Sequence, residues 1–206
     1  MLSQSVASEL RKAISSGEFQ PGEQLSEVKA AERFNCSRNT LRESFTRLAA
    51  ERIVERIPNR GVFLATPDAD YIRDLFAARA AIEPAAVRWG AFADAPSLVT
   101  LTSSAFDYAA RGEHQEVSAI NQRFHRTLVA ALGSPTLNEQ MDNLLARMRL
   151  TFLLAIPRYP QLHADHIQGN ITLATLIADG KRLEAATLAH DSLMNTCEKI
   201  LAVLDD

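Results

Sequence analysis

The sequence is poor in cysteine and has no long hydrophobic run. Its only two cysteines, Cys36 and Cys197, lie far apart and fit neither a disulfide framework nor a zinc spacing. No run of eighteen apolar residues occurs, so the sequence predicts no membrane-spanning helix. The first residues have an acid within their apolar period, and we expect no signal peptide there. These features favour a cytoplasmic protein with reduced thiols.

Motifs of the common enzyme classes are also missing. The sequence contains no recognisable Ser–His–Asp set, nucleophile elbow, phosphate loop or carboxylate pair with a suitable base. We therefore predict that the chain is not an enzyme. A small helical enzyme and a pure interaction protein remain as alternatives of other classes.

Charge is distributed unevenly along the 206 residues. Residues 1–66 carry ten Lys/Arg and eight Asp/Glu, a net charge of +2, whereas residues 67–206 carry twelve and seventeen, a net charge of −5. Hydrophobic residues make up 47% of the chain, which is enough for a packed core. A mildly basic head, residues 1–66, followed by an acidic body, residues 67–206, suggests two domains with different partners.

The head has the pattern of three short helices and a hairpin. Val6, Leu10 and Ile14 recur every four residues and predict a first helix that ends near Gly17. After the turn "FQPGEQL", Ser26 and Ser37 are suited to cap a second and a third helix. The period then changes, and "RIVERI" and "GVFLA" flank "PNR" as the strands of a hairpin. This order is typical of a winged helix-turn-helix.

The body is predicted to be entirely helical. Thr66 and Pro67 are suited to begin its first helix, and "GSP" at 133–135 combines a helix end, a cap and a helix start. Further breaks are expected near residues 94–96, 112, 157–160 and 180. Six helices of twelve to twenty-five residues with short connections predict an antiparallel all-α bundle. The predicted fold is therefore mainly α, with a small β-hairpin wing in the head.

The predicted third helix has side chains that are suited to reading DNA. With its apolar residues facing inward, Arg38, Asn39 and Arg42 lie on the exposed side. Arg can contact guanine through two hydrogen bonds and Asn can do the same with adenine. The hydroxyls of Ser37 and Thr40, with the amides of the helix N-terminus, are suited to phosphate. A merely solvated charged face is the alternative.

These residues resemble the DNA-binding head of the GntR superfamily, over nearly all of residues 2–66. The resemblance is carried by Gly17, Pro21-Gly22, Leu25-Ser26-Glu27, Ser37-Arg38, Leu41-Arg42-Glu43, Leu48 and Asn59-Arg60-Gly61. It implies a regulator that binds operator DNA as a homodimer. The DNA-binding residues that it implies are Lys29, Ser37, Arg38, Asn39, Thr40 and Arg42, with Arg60 and Gly61 at the tip of the wing.

The body resembles the FCD effector domain of FadR-like regulators, over roughly residues 71–206. The resemblance is carried by "YIRDLFAARAAIEPAAVRWGA", "FHRTLVAALGSPTL" and "LIADGKRLEAA". It implies a bundle with a central cavity for a small organic acid and, in many members, a divalent metal held by one Asp and three His. The function implied is that of a ligand-responsive bacterial transcriptional regulator, for example a repressor.

The metal ligands of that family are largely replaced here. The corresponding positions are Asn121, His125, Asn170 and Ser192, which leaves one strong ligand of four. We therefore predict a polar effector pocket without a metal or other cofactor. Two alternatives stay open: an ordinary buried histidine, and a metal site in a shifted register that uses other histidines. Those histidines are His114, His163, His166 and His190.

Three arginines in apolar stretches suggest an anionic effector. Arg79, Arg147 and Arg149 interrupt otherwise apolar helical patterns, and a guanidinium in an apolar cavity is suited to a carboxylate. Arg79 can instead pair with Glu83, one turn further along the helix. We expect a small anionic metabolite to be the effector.

Overall fold

The computed structural model describes residues 2–205, which form nine helices and three strands. The chain divides into two compact units. The first extends to Asp68 and also includes Leu145–Leu154, and the second consists of Ala69–Leu144 and the residues from Ala155 onward. The prediction of a mainly helical chain with a small antiparallel sheet is confirmed.

The first unit has the order expected of a winged helix-turn-helix. Its elements are α1 (Leu2–Ser15), β1 (Gln24–Leu25), α2 (Glu27–Arg33), α3 (Arg38–Ala50), β2 (Val54–Ile57) and β3 (Gly61–Leu64). Helix α1 packs on α3 through an apolar core that includes Leu10, Ile14, Leu41, Phe45 and Leu48, all completely buried. The helical period of these residues in the sequence is what directs them to one side.

The sheet has one more strand than the sequence predicted. Strand order is β1-β3-β2, and all pairs are antiparallel. Strands β2 and β3 are the predicted hairpin, whereas Gln24 and Leu25 of β1 pair with Phe63 and Val62 of β3. The stretch "FQPGEQL" was expected to be only a turn. Two paired residues are too short to show a strand period, so only the structure reveals this strand.

The second unit is built from helices with short connections. Its helices are α4 (Ala69–Trp89), α5 (Ala95–Ala110), α6 (His114–Ala130), α7 (Pro135–Ala155, of which residues 145–154 group with the first unit), α8 (Leu162–Ala178) and α9 (Arg182–Asp205). Helix α4 packs mainly on α9, and α5 on α8 and α6. Phe124, Leu128 and Leu173 belong to its apolar core.

Two of the predicted helix starts in the second unit have different outcomes in the structure. Ser134 accepts a hydrogen bond from the amide of Leu137 at 3.3 Å, which confirms it as the cap of α7. Gly133 has a φ of 67°, a left-handed conformation that suits glycine at a helix end. The expected start of α4 at Thr66 and Pro67 is wrong, since that helix begins at Ala69. Thr66 and Pro67 instead lie in the short segment without regular secondary structure between β3 and α4.

Residues 144–152 of α7 are buried without interruption. An amphipathic surface helix would show exposed residues every three or four positions, so this segment is enclosed on all sides. The sequence places it in the body by chain order. In space, Leu145–Leu154 group with the first unit instead.

Candidate functional site

Helix α3 presents its N-terminal turn and its polar side to solvent. Ser37 caps the helix by accepting a hydrogen bond from the amide of Thr40 at 3.1 Å, and the two hydroxyls lie 2.8 Å apart. Leu41 and Phe45 face inward and are completely buried. Arg38, which lies two residues before Thr40, is exposed. The cap fixes where the helix begins and therefore which residues form its first turn.

Two of the expected DNA-reading side chains are held by carboxylates. The guanidinium of Arg42 lies 3.1 Å from the carboxylate of Glu27, which is on α2. Asn39 donates a hydrogen bond to Glu43 at 3.2 Å, one turn further along α3. Neither carboxylate was predicted from the sequence as a partner of Arg42 or Asn39. Helical spacing could have suggested the pair on α3, but the pair between α2 and α3 depends on how those helices cross.

The turn between β2 and β3 presents Arg60 and Gly61 at its tip. Asn59 and Gly61 have φ angles of 60° and 111°, which the tight turn requires. The carbonyl of Arg60 accepts a hydrogen bond from the side chain of Gln24 at 2.8 Å, so a residue of β1 holds the backbone of the turn in place. The guanidinium of Arg60 lies over the ring of Phe63. Lys29, on α2, is exposed.

A buried ionic cluster joins α4 and α6 in the second unit. The Nε of Arg79 donates to Glu83 at 2.7 Å, and the other oxygen of Glu83 lies 2.6 Å from Nδ1 of His125. All three residues are buried, with Arg79 2% and Glu83 1% exposed. A carboxylate can only accept hydrogen bonds, so Nδ1 of His125 carries the proton. The alternative that Arg79 pairs with Glu83 is therefore what the structure shows.

The pKa values in this cluster follow from burial and charge. Burial alone would raise the pKa of Glu83, but the charges and hydrogen bonds of Arg79 and His125 lower it to about 2. Burial lowers the pKa of His125, and this effect outweighs the attraction of Glu83. Burial and the nearby His125, Arg79 and His163 lower the pKa of His166 to about 3. The cluster therefore has one cation, one anion and neutral imidazoles near neutral pH.

A small cavity lies between α5, α6 and α8. Its polar lining comes from Asn121, Asn170, His163, His166 and Thr102. The amide nitrogen of Asn170 lies 2.7 Å from the amide oxygen of Asn121. The space that the centre of a water molecule can reach is about 10 Å³, which is room for about one water. Apolar side chains, including Val117 and Ile167, complete the lining.

Comparison with known proteins identifies the chain. Residues 2–64 match the family described as bacterial regulatory proteins, gntR family, and residues 74–194 match the FCD domain. The chain belongs to the GntR family. This regulator is 26% identical over 189 residues to the Nta operon transcriptional regulator of Aminobacter aminovorans, covering 90% of this chain and 88% of the other. It is 28% identical to the HTH-type transcriptional repressor GlaR of Escherichia coli, covering 88% of each chain.

A solved structure has the same fold. The crystal structure of a putative transcriptional regulator GntR from Rhodococcus sp. RHA1 superimposes with a TM-score of 0.82, at 29% identity, covering 97% of each chain. The predictions of the family, the winged helix-turn-helix and the FCD domain are confirmed. No helix within residues 2–205 has the length and apolar character needed to cross a membrane.

The residues expected for the effector fall into four groups. Asn121 and Asn170 come together at the cavity, and His125 joins Arg79 in the ionic cluster. Ser192 is exposed on α9, whereas its neighbour Leu193 is buried. The predicted contacts Arg147 and Arg149 are both buried and lie in the segment of α7 that groups with the first unit. Burial lowers the pKa of Arg149.

The residues at the family's metal positions do not fit a divalent ion in this GntR-family chain. Asn121 and Asn170 have amides that are hydrogen-bonded to each other and are neutral, poor metal ligands, and Nδ1 of His125 is engaged with Glu83. Within residues 2–205, no three side chains of His, Cys, Asp or Glu are arranged to hold a metal. His190, one of the alternative histidines, is exposed and contacts Asp191. His114 stacks on His163 with ring centroids 6.2 Å apart.

Proposed function

We propose that this regulator binds operator DNA as a homodimer in the cytoplasm and that a small organic effector in the second unit changes its affinity. The observation that supports DNA binding is the exposed side of α3. There, Arg38 and Arg42 lie one turn apart near a capped helix N-terminus. Such a helix fits the major groove, where its first residues contact base edges.

Each residue of the head predicted to bind DNA has a proposed contact. Arg38 and Arg42 contact guanine or the DNA backbone, and Asn39 contacts a base. Ser37 and Thr40 donate to phosphate together with the helix amides. We propose that the other contacts are made outside α3, by Lys29 with phosphate and by Arg60 and Gly61 of the wing tip with the minor groove.

The proposal of a homodimer rests on the geometry of operators. One head of this size covers one half-site, and two-fold symmetric operators are bound by two-fold symmetric proteins. Sedimentation velocity of the full chain is expected to show a species of twice the chain mass. A monomer at every concentration that saturates DNA would contradict this part of the proposal.

The proposed effector site is the cavity between α5, α6 and α8. It is a concave site with convergent polar groups among apolar side chains, as ligand sites in helical bundles are. The organic acid that the sequence predicts would need a cation. Arg79, the cation expected there, is already ion-paired with Glu83. The support for the cavity therefore comes from its amides and imidazoles.

Selection from genomic DNA followed by binding measurements tests the DNA-binding part. Arg38→Ala and Arg42→Ala are each expected to weaken binding of the selected operator by about 1–3 kcal/mol, if each contact is a base pair read by two hydrogen bonds. Arg123→Ala, an exposed change on α6, is the control. A pure interaction protein would tolerate both head variants, so unchanged affinity in both would refute the proposal.

A further inference from the structure

We propose that the effector carries a neutral group with a hydrogen-bond donor beside an acceptor, such as a primary amide, a lactam or a ureide, and that Asn121 and Asn170 recognise it. The inference rests on the proposed function in taking the ligand of this cavity to be the effector. It differs from the carboxylate that the sequence predicts.

The paired amides leave one donor group and one acceptor. A carboxamide has one acceptor oxygen and an NH2 with two donors. Asn170 and Asn121 use one nitrogen and one oxygen on each other, at 2.7 Å. What remains is an NH2 and an oxygen on neighbouring side chains, and both residues line the cavity. Exchanging oxygen and nitrogen in both amides leaves the same set, so the conclusion does not depend on how each amide is oriented.

An amide edge is the complement of this pair. The carbonyl of a ligand amide accepts from the NH2 of one asparagine, and its N–H donates to the oxygen of the other. A carboxylate has only acceptors, so one of its oxygens would face an amide oxygen without a proton between them. Sites built on complementary hydrogen bonds reject analogues that leave a buried polar group unpaired.

The charge of the surroundings also favours a neutral ligand. Arg79 is the cation that the sequence predicts for this site, but its charge is balanced by Glu83. His125 is bonded to the same carboxylate. Burial keeps the pKa of His166 at about 3, so this lining residue carries no charge near neutral pH. A carboxylate placed here would lose its hydration without meeting a free counter-charge, which is costly.

The size of the cavity limits which part of a ligand can enter it. Its space is about that of one water, so an amide group with its three heavy atoms enters only if lining side chains move. The rest of the ligand would lie against Ile120 and Ile167, which line the same space, and would displace them. Small apolar amides are therefore the appropriate probes.

Saturation-transfer NMR on the full chain without DNA tests the inference. The probes are two pairs of the same shape: propionamide with propionate, and benzamide with benzoate. Each amide is expected to bind at least about tenfold more tightly than its carboxylate. Zinc ions alone are a further probe, and no zinc binding is expected after treatment with chelator.

The variants Asn121→Ala and Asn170→Ala are each expected to abolish most of the amide signal. Asn170 is only half-buried, so its variant tests the idea if the Asn121 variant does not fold. Asn195→Ala, an exposed change on α9, is the matched control and is expected to bind like the unaltered chain. Circular dichroism shows which variants keep the fold.

Three results would overturn the inference. They are equal or tighter binding of the carboxylates, amide binding that survives both asparagine changes, and binding of neither class at millimolar probe. Tight zinc binding that increases carboxylate binding would overturn it as well. Operator affinity is measured separately on the unaltered chain. Absence of operator binding with amide selectivity intact would refute the proposed function alone.

Discussion

An arginine–glutamate ion pair in each unit differs from the other in how exposed it is to solvent. On the first unit, Arg42 is 59% exposed at its side chain and lies 3.1 Å from Glu27. In the second unit, Arg79 is 2% exposed and lies 2.7 Å from Glu83. An exposed pair is worth at most about 1 kcal/mol, and a guanidinium has five N–H donors, so Arg42 can contact DNA while Glu27 still orients it. A buried pair cannot be opened without leaving a charge unsolvated. Arg42 is thus available to a charged partner, whereas Arg79 is committed to a partner within the chain.

The largest expected effect comes from breaking the buried pair. Glu83→Ala leaves the guanidinium of Arg79 buried without its counter-charge, and we expect a loss of about 3–5 kcal/mol in the free energy of unfolding. Urea denaturation measures it, with Glu139→Ala, an exposed change on α7, as the control. If both variants lose the same small amount, the buried and exposed charges do not differ as described.

Acid should destabilise the second unit through His166. Its pKa is lowered from 6.5 to about 3 in the folded chain, so between these values the unfolded chain binds more protons. Stability is therefore unaffected by this group above about pH 6.5 and falls as the pH decreases, by up to about 1.4 kcal/mol per pH unit. Denaturation between about pH 6.5 and pH 5 measures the slope, above the range in which Glu83 titrates.

The variant His166→Gln has no titrating group at this position and is expected to reduce that slope, leaving the part that comes from His125, whose pKa is also lowered by burial. His190→Gln is the matched control, since this histidine is exposed on α9. Equal slopes in the two variants would show that His166 does not remain neutral in the folded chain.

On the head, the carboxylate of Glu27 is expected to sharpen sequence recognition. It holds the guanidinium of Arg42, and fixing one long side chain before binding is worth about 0.5–1.5 kcal/mol. Glu27→Gln should therefore lower the ratio of specific to non-specific DNA affinity by about twofold to tenfold. Glu32→Gln removes the same charge from an exposed position of α2 and is the control. In an Arg42→Ala background the effect of Glu27→Gln on this ratio should vanish; if it persists, Glu27 does not act through Arg42.

The smallest expected effect is that of Lys29. A phosphate contact adds about 0.9 to the slope of log affinity against log salt concentration. Lys29→Ala should reduce that slope by about this amount and weaken operator and random DNA alike. Anisotropy titrations at several salt concentrations measure it, and Lys181→Ala, an exposed change before α9, serves as control. A loss confined to the operator would make Lys29 a base contact.

The fold was predictable because its signals are local. The apolar period of α1 and α3, the change of period at β2 and β3, and "GSP" before α7 each depend on neighbouring residues. Strand β1 escaped prediction because it is defined by its partner and not by its own pattern. The start of α4 was misplaced because Thr66 and Pro67 have the chemistry of a helix start without forming one.

The candidate sites were predictable only in part, because they depend on crossing helices. Spacing placed Arg38 and Arg42 on one exposed side, and it allowed the pair of Arg79 with Glu83. The bond from His125 to Glu83 spans forty-two positions, and that from Asn170 to Asn121 spans forty-nine. No periodicity in one sequence encodes such separations. Ser192 shows the same limit, since a count along α9 that is off by one residue moves a side chain from a buried position to solvent.

The continuous burial of residues 144–152 has a consequence for recombination between relatives. A chimera that exchanges heads at residue 66 would leave Leu145–Leu154 matched to the surface of a foreign head. Those residues group with the first unit although they are inherited with the body. Heads are therefore not freely exchangeable modules in this chain. Transplants that carry both the head and Leu145–Leu154 should keep their packing. In lineages that exchange these domains, the two stretches are expected to change together.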